Sequence, residues 1–191
     1  MNSLFHTFDD GRRLEIRPLT QVDVERLVSI RRDERLIPFQ YSPESTFKET
    51  LELVANLIEE QPDVDFPWYA LVFDGHTVGD VAATGDRKKM TFSWNLDPEF
   101  WGNGIMTKAL EMVIQHRFSI APRLVIRADS FPDNVGSIRV MEKLGFEQIV
   151  LSKFRTWLWD VFSFHSRKVL RFRLTESGFQ NRKLGRENPS S

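Results

Sequence analysis

Between Trp68 and Leu96 three strand-like runs follow one another almost without a gap, and this limits the folds open to the chain. Trp68-Tyr-Ala-Leu-Val-Phe73 and Thr77-Val-Gly-Asp-Val-Ala-Ala83 flank Asp74-Gly75, a dipeptide suited to the positive-φ turn of a two-residue hairpin. Met90-Thr-Phe-Ser-Trp-Asn-Leu96 is the next strand, and Asp97-Pro98 ends it. Strands joined by turns too short for a crossover pair antiparallel. A purely parallel sheet is therefore excluded.

Helical patterns surround this run. Leu14–Pro18 alternates as a short strand, and Thr20 with Asp23 forms a capping box before a stripe of Val24, Leu27 and Val28. Ile37–Tyr41 reads as a loop. Thr46 and Glu49 form a second capping box, followed by Leu51, Val54, Leu57 and Ile58 on one helical face. A helix from about Gly102 to Phe118 carries Met106, Ala109, Leu110, Val113 and Ile114 inward. Leu124–Ala128 is a strand, Asn134–Leu144 a helix, and Gly145 its left-handed stop. Two last strands are expected at Ile149–Phe154 and Lys168–Leu174, joined by the aromatic stretch Trp157–Phe164. The expected fold class is α/β: a mixed, largely antiparallel sheet with helices on both faces. Residues 1–176 are expected to form one domain, and residues 177–191 a disordered basic tail.

Composition excludes several classes. The 191 residues include no Cys, which rules out disulfides and thiolate metal sites. His6, His76, His116 and His165 lack metal-ligand spacing, so no metal is expected. No apolar run approaches the ~20 residues of a membrane span, and Met1–His6 lacks the marks of a secretory signal. A cytoplasmic protein that does not contact a membrane is the expectation. Sixteen Phe and five Trp point to a large core or an aromatic-lined pocket. Net charge is −1, yet residues 167–191 hold seven of the 26 Lys and Arg against two of the 27 Asp and Glu. Such a tail is either a solvated chain end or a contact for nucleic acid or a ribosome.

Glu99-Phe-Trp-Gly-Asn-Gly-Ile-Met-Thr107 carries the chemistry. A helix start leaves backbone N–H groups unpaired at the positive end of the dipole. Glycines at 102 and 104 let that backbone approach a ligand closely. The product is a site for phosphate or pyrophosphate. A dinucleotide fingerprint needs a third Gly near position 107, where Thr107 stands. A Walker loop needs Gly-Lys-Ser/Thr, whereas Ile105-Met106 follows Gly104.

With Asp97-Pro98, Phe100-Trp-Gly-Asn-Gly104 and, about thirty residues on, Asn134-Val-Gly-Ser137-Ile-Arg-Val-Met-Glu142-Lys143-Leu-Gly145-Phe146, the chain resembles the GNAT superfamily of N-acetyltransferases. Within it the likeness is to the RimJ/RimL-like branch, over about residues 14–175. The resemblance implies the acyl-CoA N-acyltransferase fold and acetyl-CoA as co-substrate. It implies that Trp101, Gly102, Asn103, Gly104, Ile105, Met106 and Thr107 hold the pyrophosphate. Leu96, where its strand splays from the next, would bind pantetheine and the acetyl carbonyl, and Asn134 would contact the pantetheine arm. Asn134 is equally a good N-cap.

Three positions depart from the family pattern. Glu99 stands where Gln or Arg is usual, and is left out of the site. Lys108-Ala109 replaces the usual Glu-Ala. Met141 lies where many members place a general-acid Tyr, leaving Ser137 as the candidate acid. The resemblance implies direct attack by a neutral primary amine on the thioester, with acceptors of two kinds, a protein N-terminus or a small-molecule amine. An α-amine with a pKa near ~8 needs little help, whereas a lysine near ~10.4 costs about 4 kcal/mol to deprotonate at neutral pH. Asp129 and Asp160 are the base candidates. The acceptor pocket is expected beside Leu96, between Phe39–Tyr41 and Trp157–Phe164, with Phe39, Tyr41, Trp94 and Trp159 on its wall, and Trp157, Phe162 and Phe164 nearby. The alternative from another class is a non-catalytic acyl-CoA-binding module that kept the cradle and lost the chemistry.

Overall fold

The computed structural model describes residues 3–40, 49, 51–52, 55, 68–150 and 168–187. The expected second capping box and its helix, the Trp157–Phe164 stretch, Asp160, Tyr41 and Trp159 lie outside the described residues, apart from isolated helical positions at 49, 51, 52 and 55.

The elements are β1 (Leu4–Thr7), β2 (Arg13–Pro18), α1 (Val24–Arg31), β3 (Tyr69–Phe73), β4 (His76–Gly85), β5 (Lys89–Leu96), α2 (Ile105–Ile120), β6 (Val125–Ser130), α3 (Val135–Leu144), β7 (Glu147–Gln148), β8 (Leu170–Leu174) and α4 (Glu176–Glu187). The strands form one sheet in the order β1-β2-β3-β4-β5-β6-β8-β7. Every pairing is antiparallel except β5 with β6. The mixed, largely antiparallel sheet is thus the one the hairpin signals imply. Asp74 (φ 47°) and Gly75 (φ 83°) make the β3–β4 turn, the left-handed pair that a tight hairpin requires.

Alternation along β3 divides the core in two. Tyr69, Leu71 and Phe73 belong to one buried cluster with Ile105, Leu110 and Ile114 of α2, Met141 and Leu144 of α3, and Phe179 of α4. Ala70 and Val72 belong to another with Val24, Leu27 and Val28 of α1 and Leu36 beyond it. Residues two apart share a face of a strand, so α1 covers one face of the sheet and α2, α3 and α4 the other.

Three boundaries differ from expectation. β1 has no counterpart in the sequence reading, because Leu4–Thr7 is too short and polar to signal; it is held by pairing with β2. The strand expected from Ile149 begins at Glu147 and, among the described residues, ends at Gln148. The tail expected to be disordered from residue 177 is helical from Glu176 to Glu187. Thr175 starts that helix, its Oγ1 accepting from the Gly178 N–H at 3.3 Å. Phe179 then enters the core, with its ring 6.0 Å from that of Phe118. Gly178 and Gly185 weaken the local helical signal, and tertiary burial of one aromatic side chain overrides them.

Candidate active site

β5 and β6 pair in parallel over three positions, Lys89↔Val125, Met90↔Ile126 and Thr91↔Arg127. β5 continues to Leu96 and β6 to Ser130, so the strands separate beyond Thr91 and Arg127. A sheet blocks passage wherever its strands pair. Beyond this point it is open, and a cavity of about 530 Å³ lies there. Its wall takes Gly102, Gly104, Ile105, Met106 and Thr107 from the start of α2, and Asn134–Ser137 from the start of α3. It also takes Leu36, Phe39 and Gln40 from beyond α1, and Trp94, Asn95 and Leu96 from β5. The cavity thus touches both helical layers.

The α2 wall is made of main chain. Gly102 (φ 81°) and Gly104 (φ 75°) occupy the left-handed region, and a Cβ on either would meet nothing within 4 Å. These glycines turn the chain sharply and leave open space in front of it. The first N–H groups of α2 have no partner inside the helix, and Lys108 N–H is the first to reach back, to Gly104 O at 3.0 Å. Asn103 lies outside the cavity wall; its Nδ2 donates to the carbonyls of Phe100 (3.3 Å) and Trp101 (3.2 Å) and so fixes the turn. Trp101 donates from Nε1 to the Leu96 carbonyl at 2.9 Å, which ties the loop to the end of the splayed strand.

Asn134 caps α3, its Oδ1 accepting from the Ser137 N–H at 3.1 Å. Gly145 (φ 87°) closes the helix, with N–H bonds from Gly145 to Glu142 O and from Phe146 to Met141 O. Asn134 and Ser137 therefore stand side by side on the cavity wall. Met141 is fully buried in the core, so that position has no group to offer a leaving thiolate. Glu99 points away from the glycine turn, with its Oε1 2.8 Å from Arg35 Nη1, which removes the conflict that an acid there would pose to a phosphate.

Of the remaining candidates, Phe39 and Trp94 line the cavity and Asp129 does not. Asp129 stands exposed on β6 opposite Arg171. Sequence reasoning missed Gln40, Asn95, Asp133, Arg139 and Lys143 on the wall. Arg139 and Lys143 follow Ser137 on α3, so their helical position was the signal available.

A charge network stands behind the α1 wall. Asp80 of β4 is buried, and its Oδ2 lies 2.8 Å from Arg31 Nη2 of α1. Its Oδ1 accepts from Asn95 Nδ2 of β5 at 3.2 Å. Burial pushes the Asp80 carboxyl up, and Arg31 and Asn95 pull against it. Arg31 also stacks over Trp68, 5.4 Å from the ring centre, and its carbonyl accepts from Gln40 Nε2. Earlier in α1, Arg26 pairs with Asp97, which caps the turn before the glycines through a bond from Glu99 N–H at 3.0 Å.

Among the described residues no cluster of His, Asp or Glu could hold a metal ion, and no helix is long and apolar enough to cross a membrane. A cradle of main-chain donors with open space before its glycines, beside a splayed strand, fits a pyrophosphate with an extended arm. Residues 13–147 match the GNAT acetyltransferase domain. The chain is 27% identical over 154 residues to the probable N-acetyltransferase YjcK of Bacillus subtilis (strain 168), covering 72% of this chain and 82% of that one. Mycobacterium smegmatis RimJ, solved with CoA-disulfide, superposes with a TM-score of 0.75 at 20% identity, over 97% of this chain and 94% of RimJ. RimL, a ribosomal L7/L12 α-N-protein acetyltransferase solved with coenzyme A, superposes at 0.68 and 18% identity, over 86% and 95%. The fold of those enzymes and the matched domain leave one assignment: the chain belongs to the GNAT family and is an acetyl-CoA-dependent N-acetyltransferase that acts on an amine.

Proposed function

We propose that the amine and acetyl-CoA meet in one ternary complex, in the gap between β5 and β6, having entered from opposite faces of the sheet. The observation that carries this reading is a single cavity touching both helical layers. The glycine turn and the start of α2 hold the pyrophosphate, Asn134 the pantetheine arm, and the end of β5 the thioester. The acceptor enters past Leu36, Phe39 and Gln40. Its nitrogen attacks the carbonyl carbon, the C–S bond breaks with its electron pair on sulfur, and the nitrogen's surplus proton ends on the CoA thiol. Backbone N–H groups near the carbonyl oxygen stabilise the charge that develops there. In this reading Ser137, on the wall beside Asn134, delivers the proton to sulfur.

The preferred acceptor is an α-amine, whether of a protein N-terminus or of a small molecule. In support, the cavity wall among the described residues carries one carboxylate, Asp133, on the α3 side. An amine that is already partly neutral near pH 7.5 suits such a wall better than a lysine. Thiol release from acetyl-CoA tests this with a panel of a peptide with a free N-terminus, the same peptide N-blocked but carrying a lysine, alaninamide and spermidine. Turnover of the free N-terminus or alaninamide, with kcat lowered about tenfold or more in Ser137→Ala, is the expected result. Faster turnover of the blocked lysine peptide or of spermidine overturns the α-amine reading. Acetyl-CoA binding with no turnover of any amine would favour a binding module instead.

A further inference from the structure

Asp80, Asn95 and Arg31 lie apart from the glycine turn and the Asn134 cap, yet Asn95 opens onto the cavity. β4 and β5 place Asp80 and Asn95 directly opposite one another. Phe92 and Leu96 of β5 pack with α2, so Asn95 lies on the α1 face of the sheet, the face opposite the CoA cradle.

A side-chain amide is two-sided, and its neighbour decides which side faces where. An ionised carboxylate only accepts hydrogen bonds. Asp80 Oδ2 is held by Arg31 at 2.8 Å, and its Oδ1 takes the Asn95 NH2 at 3.2 Å. The carbonyl Oδ1 of Asn95 is therefore turned away from Asp80. Asn95 is half-buried and borders the cavity between Trp94 and Leu96, so the acceptor side of the opening is furnished with an oriented hydrogen-bond acceptor. Asp80 is completely buried and cannot itself touch a substrate.

We propose that Asn95 Oδ1 accepts a hydrogen bond from an N–H of the acceptor amine, and that Asp80 and Arg31 are positioning residues that fix the direction of the Asn95 amide. This rests on the ternary-complex reading above. The bond strengthens as the reaction proceeds: the attacking nitrogen gains positive charge when N–C forms, and an oriented carbonyl backed by a buried carboxylate favours that charge. Asn95 takes up no proton, and the nitrogen's surplus proton still ends on the CoA thiol. An N–H donor is thereby selected over a hydroxyl or thiol, neither of which becomes a cationic multiple donor on attack.

The test uses the full chain, acetyl-CoA, and whichever of the free-N-terminus peptide, alaninamide and spermidine the wild type acetylates fastest. Asn95→Leu is expected to raise KM for that amine or lower kcat, so that kcat/KM falls about ten- to hundredfold, the range for one hydrogen bond to a charged group. KM for acetyl-CoA should stay within about twofold, because its cradle is on the other face. Asp80→Asn, whose own amide no longer dictates how Asn95 faces, should show a smaller fall in the same parameter. Asn95→Gln keeps the amide and displaces its carbonyl by one methylene; it replaces the leucine variant if that one does not fold, and should recover part of the lost activity where both fold. Wild-type turnover with an unchanged kcat/KM for the amine in Asn95→Leu, or a weakening of acetyl-CoA binding as large as the loss in the amine parameter, overturns the role of Asn95 alone. A wild type that binds acetyl-CoA and acetylates none of the three amines overturns the ternary-complex reading and this role with it.

Discussion

The two walls of the cavity are built of different material. On the α2 side, Gly102, Gly104–Thr107 and Asn134–Ser137 present main chain, helix starts and short caps, all made within two brief stretches. On the α1 side Asn95 lines the wall, and Asp80 and Arg31 stand behind it on another strand and a helix, 15 and 49 residues apart in turn, joined by side-chain hydrogen bonds and charge. On the proposed reading, the difference follows from the tasks. A common co-substrate with a pyrophosphate is bound by backbone dipoles that any fold can present at a helix start. An acceptor that differs from enzyme to enzyme is met by side chains, which can change without disturbing the main chain.

The largest expected effect lies on the charged wall. Arg31→Ala leaves Asp80 buried without its cation, and losing one partner of a buried pair costs about 3 kcal/mol or more. Urea denaturation at pH 7 measures it. Asp80→Asn combined with Arg31→Ala should cost less than Arg31→Ala alone, since no uncompensated charge is then buried. Equal losses in the single and double variants would break the comparison, because the α1 wall would then owe its stability to packing.

The backbone wall should respond differently. Gly104→Ala places a side chain at φ 75°, where an L-residue costs about 1–2 kcal/mol. Its Cβ meets no protein atom within 4 Å, so on the proposed reading the methyl group enters the space taken by the pyrophosphate. Stability should fall by about 1 kcal/mol, while KM for acetyl-CoA rises several-fold and KM for the amine stays unchanged. Calorimetric titration with CoA, run beside amine kinetics, separates the two. A rise in the amine KM alone would show that the faces are coupled or exchanged.

The same contrast explains what was legible in the chain. The hairpin at Asp74-Gly75, the turn at Gly102 and Gly104, the Asn134 cap and the Gly145 stop are local devices. Each needs a particular residue type at a particular φ or cap position, so each shows in a few letters of sequence. Asn95 offers no such sign, because its meaning comes from Asp80, which reaches it only through the β4–β5 register. Asp129 misled for the complementary reason. Its place near the end of β6 was legible, but alternation along that strand turns it to the side opposite buried Ile126 and Ala128 and off the cavity wall, where Arg171 of β8 is its register partner. The helix at Glu176–Glu187 was hidden by its glycines and is held by Phe179 in a core assembled from distant residues.

The smallest effect is a difference in how the two sides meet acid. Asp23, at the start of α1, accepts from Arg17 (2.7 and 2.9 Å), from Thr77 Oγ1 at 2.7 Å and from the Thr20 N–H at 3.0 Å. Burial alone pushes its carboxyl up, but those bonds together outweigh burial and hold it at about 2, against 3.8 in an unperturbed Asp. A depressed folded value means that the unfolded chain takes the proton first. The stabilisation is therefore complete above about pH 4 and is lost as pH falls toward 2. Asp80 works in the opposite sense: its raised value lets the folded chain take a proton above pH 3.8, and it adds nothing further once both states are protonated. The contribution of Asp23 should be about 1 kcal/mol after solvent screening around Arg17 is allowed for. Wild type and Asp23→Asn should differ by that amount in urea denaturation at pH 6 and converge near pH 2, with α1 amides exchanging hydrogen before those of α2 and α3 as the pH drops. A difference that persists at pH 2, or exchange beginning in α2, would mean that the α1 side is not the acid-sensitive half of the molecule.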